Sequence, residues 1–246
     1  MPFKSQFCFL RSLTLGYPAA VIAKLTYALL FLVLIPLARA EPPATPKQSQ
    51  WEPEISAFER ADQTNPPPKH PILFVGSSSI RLWKTLADDF KGYPVLNRGF
   101  GGSQITDSTA FADRIITPYE PSLIFLYAGD NDVAAGHSAE QILADFREFV
   151  ASARLKLPNT PIAFISIKPS PARWKYVDTT KAANRLISEY VKSDKRLTYV
   201  DIFSKMLDQD GKPREELFIA DKLHMNAQGY AIWTEAIKAH LPVLKR

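Results

Sequence analysis

The sequence predicts an α/β domain: a three-layer α/β/α sandwich around a central parallel sheet. Three observations carry this. From residue 51 onward, short apolar runs alternate with segments of helical period. The runs are apolar throughout rather than at every second position, which is the pattern of strands buried on both faces. Each run is followed by enough chain to cross back to a parallel neighbour, and right-handed crossovers then place helices on both faces.

The elements follow in order. Trp51 to Gln63 has helical spacing, with Trp51, Ile55, Phe58 and Ala61 on one face, and Asn65-Pro-Pro-Pro68 stops it. Ile72–Val75 is a strand ending at Gly76, and Val95–Asn97 is a brief strand before Gly99 to Gly102. Ser103 to Ile116 suits a helix, and Leu123–Tyr127 is a strand ending at Gly129. Ala139 to Leu157 is amphipathic, with Ile142, Leu143, Phe146, Phe149 and Val150 inward. Ile162–Ile167 and Leu197–Val200 are strands flanking a helix at Thr179–Val191. Asn226 caps a last helix from Ala227 to His240. No internal repeat is present.

The first 40 residues have a different character. Lys4, Arg11, Lys24 and Arg39 occur there without any acid, and Leu25 to Leu37 is almost continuously apolar. Ala38-Arg39-Ala40 offers small residues at an A-x-A position, and Pro-rich residues 41–50 read as a linker. This order predicts a cleaved signal at 1–40 and a periplasmic or secreted domain at 51–246. An uncleaved anchor is the rival, and then the only membrane contact. The apolar run is short of the about 20 residues a span needs, although Val21 to Leu37 comes close.

Charge and cysteine usage exclude whole classes. The chain has 30 Lys and Arg against 25 Asp and Glu. Four of the basic residues lie in the signal, so the remaining domain is nearly neutral and gives no ground for a nucleic-acid partner. The single cysteine, Cys8, also lies in the signal. Disulfides, thiolate metal sites and a cysteine nucleophile are thereby excluded from the domain.

Chemistry-bearing residues fall in three segments after strands or in late loops: Phe74-Val-Gly-Ser-Ser-Ser79, Gly129-Asp-Asn-Asp132 and Asp221-Lys-Leu-His224. In a parallel sheet such segments gather at the carboxyl ends of the strands, where ligands bind. A serine, a histidine, an aspartate and an oxyanion donor are what acyl transfer needs. The bland readings are turn and N-cap residues for the serines, a tight-turn Asn131 and a loop carboxylate at Asp221. His224 has rivals in His70, His137 and His240. His70 stands between prolines and His240 ends a helix, whereas His137 follows the Asn131 segment and could approach the site. The G-x-S-x-G elbow of α/β-hydrolases is absent. Gly99, Gly101 and Gly102 lack dinucleotide-loop spacing, and no HExxH is present, so no cofactor and no metal are expected.

In combination these segments resemble the SGNH, or GDSL-type, hydrolase family. Gly76-Ser-Ser-Ser79 with Trp83 resembles its first block, Asn97-Arg-Gly-Phe-Gly-Gly102 the second, Gly129-Asp-Asn-Asp132 the third and Asp221-Lys-Leu-His224 the D-x-x-H block. The resemblance implies a flavodoxin-like sandwich and a serine esterase working through an acyl-enzyme. It implies Ser78 as nucleophile, His224 as base and Asp221 as its orienting acid. The oxyanion donors would be the N–H groups of Ser78 and Gly102 and the amide of Asn131. Ser77 stands where the family has aspartate, which leaves Ser77 and Ser79 as competing nucleophiles; Gly101 competes with Gly102, since Ser103 also replaces a usual aspartate.

The expected partner is a small-molecule, saccharide or lipid ester, with short acyl chains favoured. Two alternatives stay open. One is a non-catalytic carbohydrate- or ligand-binding domain that kept the fold. The other is a metal-assisted phosphoesterase using Asp130 and Asp132.

Overall fold

The computed structural model describes residues 50–242; the expected signal at 1–40 and the expected linker up to residue 49 lie outside the described residues. Five parallel strands form one sheet in the order β2-β1-β3-β4-β5. They are β1 (Ile72–Gly76), β2 (Val95–Gly99), β3 (Leu123–Tyr127), β4 (Ile162–Ile165) and β5 (Leu197–Val200). The order reverses between β1 and β3. Such a switch point, beyond the carboxyl ends of the strands, is where sheets of this kind bind ligands.

Side chains alternate along each strand, and both faces of the sheet centre are covered, so β1, β3 and β4 are apolar and buried at every position, whereas the edge strands carry Asn97 and Arg98 in β2 and Thr198 in β5. Leu73, Val75, Ile124, Leu126, Ile162 and Phe164 join one buried cluster. The helices on that side are α1 (Glu52–Thr64), α4 (Ile105–Ala110), α5 (Ala112–Ile115), α7 (Ala139–Lys156) and α8 (Val177–Val191). Ile72, Phe74, Phe125, Tyr127, Ile165 and Val200 form the other cluster. It is closed by α2 (Ser78–Arg81), α3 (Leu86–Asp89) and α9 (Ala227–Lys238). A further short helix, α6 (Asp130–Ala134), follows β3.

Three expectations need correction. The helix expected over Ser103 to Ile116 is two short helices. Phe111 leaves helical geometry (φ −95°, ψ 6°) and sets its ring edge-on to Phe100 at 5.8 Å. Ala61 is exposed, and the inward position near that end of α1 belongs to Asp62, which pairs with the buried Arg98. The strand expected over Ile162–Ile167 pairs only as far as Ile165, because the Ser166 hydroxyl turns to accept the N–H groups of Ile202 and Phe203. The last helix starts as expected: the Asn226 side chain accepts the N–H groups of Gln228 and Gly229. No helix among the described residues is long and apolar enough to cross a membrane.

Candidate active site

The site is built where β1 ends. Gly76 has φ +130°, and a Cβ there would sit 1.9 Å from the Tyr127 carbonyl oxygen. Only glycine permits that approach, and it lets the chain turn sharply from β1 into α2. Of the three serines that follow, Ser77 and Ser79 are buried, and Ser78 alone is half-exposed. The Ser78 hydroxyl oxygen lies 2.8 Å from His224 Nε2.

His224 arrives from the opposite end of the chain in a tightly bonded turn. One oxygen of Asp221 accepts the N–H groups of Leu223 and His224, both at 2.9 Å. Its other oxygen accepts from His224 Nδ1 at 2.6 Å. One carboxylate therefore shapes the turn and orients the ring. Burial opposes the Asp221 charge, but the bonds from the His224 ring and the two backbone N–H groups outweigh it and hold the carboxyl down at about 2. A charged acceptor at Nδ1 keeps the proton there, and Nε2 is left to accept the Ser78 proton. The helix that follows docks onto α2 directly: the Tyr230 hydroxyl donates to the Ser79 carbonyl at 2.9 Å, and its ring stacks on Trp83 at 5.1 Å. Trp83 is thus a buried support for the serine turn.

The expected oxyanion donors beyond Ser78 lie in the loops after β2 and β3. The Gly101 N–H is already taken by the Glu54 carboxylate at 3.2 Å. Gly102 is exposed, has φ +71°, and open space surrounds its Cβ position. Asn131 donates through Nδ2 to the Ser103 carbonyl at 3.0 Å, and Arg173 Nη2 faces its Oδ1 at 3.5 Å. These two contacts set the amide orientation and leave the second N–H of Nδ2 without an acceptor among the described residues.

The two aspartates beside Asn131 diverge. Asp130 pairs with Lys168, which is buried and also donates to the Tyr127 hydroxyl at 3.1 Å. Burial works against the Lys168 charge, yet Asp130 and Tyr127 outweigh it and hold the ammonium protonated above the ordinary lysine range. Asp132 instead accepts the Ile105 N–H at 3.1 Å and faces His137 and Asp145. Burial pushes its carboxyl up to about 6 against the opposing pull of the Ile105 N–H. A single ion shared by Asp130 and Asp132 therefore has no support in this arrangement. Nor does His137 act as an alternative partner for Ser78, since His224 occupies that place and His137 Nδ1 turns toward Asp145. Arg173 and Lys168 went unread in the sequence, and Trp51 was read only as an apolar helix position. Arg173 and Lys168 lie in the long loop after β4, where no spacing rule reaches.

Fold and site together define a hydrolase of the three-layer α/β/α kind. Residues 74–232 match the GDSL-like Lipase/Acylhydrolase family, and the chain belongs to it. It is a hydrolase acting on esters. A Streptococcus pneumonia protein bearing a platelet activating factor name is similar in structure, with TM-score 0.69 at 22% identity over 80% of this chain and 95% of that one. A GDSL-like lipase from Bacteroides thetaiotaomicron gives 0.64 at 19% over 76% and 97%. A catalytic mutant of Axe2, an acetylxylan esterase from Geobacillus stearothermophilus, gives 0.57 at 14% over 72% and 98%. No curated protein matches the sequence.

Proposed function

We propose that this protein is a serine esterase that cleaves short-chain carboxylic esters through an acyl-enzyme. One observation carries the reading: the unbroken relay from Ser78 through His224 to Asp221, at 2.8 Å and 2.6 Å. Ser78 attacks the ester carbonyl carbon as His224 Nε2 takes its proton. Asp221 stays ionised and stabilises the imidazolium. We assign the oxyanion to the N–H groups of Ser78 and Gly102 and to Asn131 Nδ2, donors of the kind that stabilise charge as it develops. His224 then gives the proton to the leaving alcohol, and water repeats the sequence to free the acid.

Short acyl groups suit the reading because the sequence shows no long apolar lid, and the acetylxylan esterase similarity points the same way. The basic-then-apolar order of residues 1–40 supports export from the cytoplasm. The test is hydrolysis of p-nitrophenyl acetate and longer homologues by the purified protein. We expect turnover that falls with chain length and vanishes in Ser78→Ala. Loss in Ser77→Ala with activity kept in Ser78→Ala would overturn the nucleophile. Folded protein that neither turns over esters nor reacts with a fluorophosphonate would favour a ligand-binding domain.

A further inference from the structure

A second group of side chains lies behind the Asn131 turn, and ester chemistry does not use it. Asp132, His137 and Asp145 each offer one ligand atom, and these atoms lie within 4.8 Å of one another. Asp132 Oδ2, His137 Nδ1 and Asp145 Oδ2 are shielded from solvent, and none has a hydrogen-bond partner. Asp132 is 0% exposed and Asp145 4%.

Each carboxylate commits only one oxygen to the fold. Asp132 Oδ1 accepts the Ile105 N–H at 3.1 Å, and Asp145 Oδ1 accepts from Gln141 Nε2 at 2.8 Å. The remaining oxygens converge on the imidazole. Backbone geometry holds that convergence, because the His137 N–H donates to the Asp132 carbonyl at 3.0 Å and closes the loop. The ring nitrogen stands 3.5 Å from Asp145 Oδ2, at the outer limit for a hydrogen bond. Buried polar atoms are nearly always satisfied, and three orphans facing one another require an explanation. A cation among them satisfies all three at once and offsets the two carboxylate charges.

We propose that Asp132, His137 and Asp145 form a divalent cation site of the Zn²⁺ or Mn²⁺ type. Two carboxylate oxygens and one imidazole nitrogen, with no thiolate, suit these ions better than Ca²⁺, which takes oxygen ligands. Bonds of about 2.0–2.2 Å in a tetrahedral site set ligand atoms about 3.3–3.6 Å apart. The 3.5 Å between His137 Nδ1 and Asp145 Oδ2 already matches that spacing, and the Asp132 oxygen closes in on binding. The His137 side chain is 30% exposed, which leaves a side open for water to complete the coordination. The ion would fasten the start of α6, one residue from Asn131, to α7. Its role is structural, and it does not depend on the chemistry assigned to Ser78.

The test starts from purified full-chain protein stripped with EDTA. It is titrated with Zn²⁺ and, separately, Mn²⁺ by calorimetry, with Tm measured alongside. We expect one ion per chain, a rise in Tm of several degrees, and at least tenfold weaker binding in both His137→Ala and Asp145→Asn. Asp145→Asn retains an oxygen for Gln141, and His137 sits in a loop, so circular dichroism should report both variants as folded. Failure of either ion to bind the wild type saturably would overturn the site, as would equal binding by the wild type and both variants. A Tm that responds to pH and to neither ion would assign a proton to the cluster instead and would equally overturn the proposal.

Discussion

Trp51 donates its indole N–H to the Gly101 carbonyl oxygen at 2.5 Å. That oxygen belongs to the same planar peptide as the Gly102 N–H, and in a trans peptide the two point in opposite directions. Holding the carbonyl therefore aims the N–H. Glu54 secures the preceding peptide through the Gly101 N–H, so α1 grips the glycine turn from both sides. Both residues lie before the segment matched to the family, residues 74–232.

Trp51→Phe should separate aiming from packing. Phenylalanine keeps the edge-on contact with Phe100, now at 5.7 Å, and loses only the donor. Removing an oxyanion donor outright costs roughly 100- to 1000-fold in turnover, so misdirecting one should cost about 10-fold. We expect that fall in kcat with KM and Tm little changed. A Tm drop with kcat intact would mark Trp51 as a core residue only.

Asp221 stays ionised down to about pH 2, so its protonation cannot cause a loss of activity at mildly acid pH. Its depressed folded-state pKa stabilises the fold above the unfolded carboxylate value and loses that contribution as pH falls from about 4 toward 2. Asp221→Asn removes the charge that holds the ring. A kcat lowered on the order of 10³-fold or more across the whole pH profile is expected. A variant with near wild-type turnover would remove Asp221 from the mechanism.

Asp132 works in the opposite sense. Burial raises its carboxyl to about 6, so the folded state favours the protonated form. Without a bound ion, the wild type should lose stability as pH rises from about 4 to about 6, by roughly 3 kcal/mol at most. Asp132→Asn keeps an acceptor for the Ile105 N–H and lacks that titration. In EDTA, its Tm relative to wild type should climb across this window. A constant difference between the two proteins would refute the assigned shift.

Lys168 and Asp130 form a buried pair against Tyr127. Lys168→Met strands the carboxylate, and loss of about 3–5 kcal/mol is expected from urea denaturation. Adding Asp130→Asn should restore much of it. Additive losses in the double variant would mean that the two charges do not depend on each other.

The strands show why the fold was legible. A parallel strand buried on both faces is apolar at each position, so Leu123–Tyr127 reads the same in sequence and structure. The Asn226 cap was legible for a similar reason: its partners, Gln228 and Gly229, are two and three residues away. The break at Phe111 was not legible, because it depends on Phe100, which helical periodicity within 103–116 does not register.

The site divides along the same line. Residue type and order by themselves determined a family resemblance, and the candidate set of Ser78, Asn131, Asp221 and His224, because short motifs are local. Only the tertiary structure decided which serine meets the histidine, since Ser77, Ser78 and Ser79 differ in burial rather than in chemistry. It also decided that Asp130 and Asp132 part, one toward Lys168 and one toward His137 and Asp145. It brought Trp51 to Gly101 across fifty residues. The physical reason is range: periodicity and capping act within a few residues. Hydrogen bonds between distant loops exist only once the sheet has ordered its strands and the helices have packed against it.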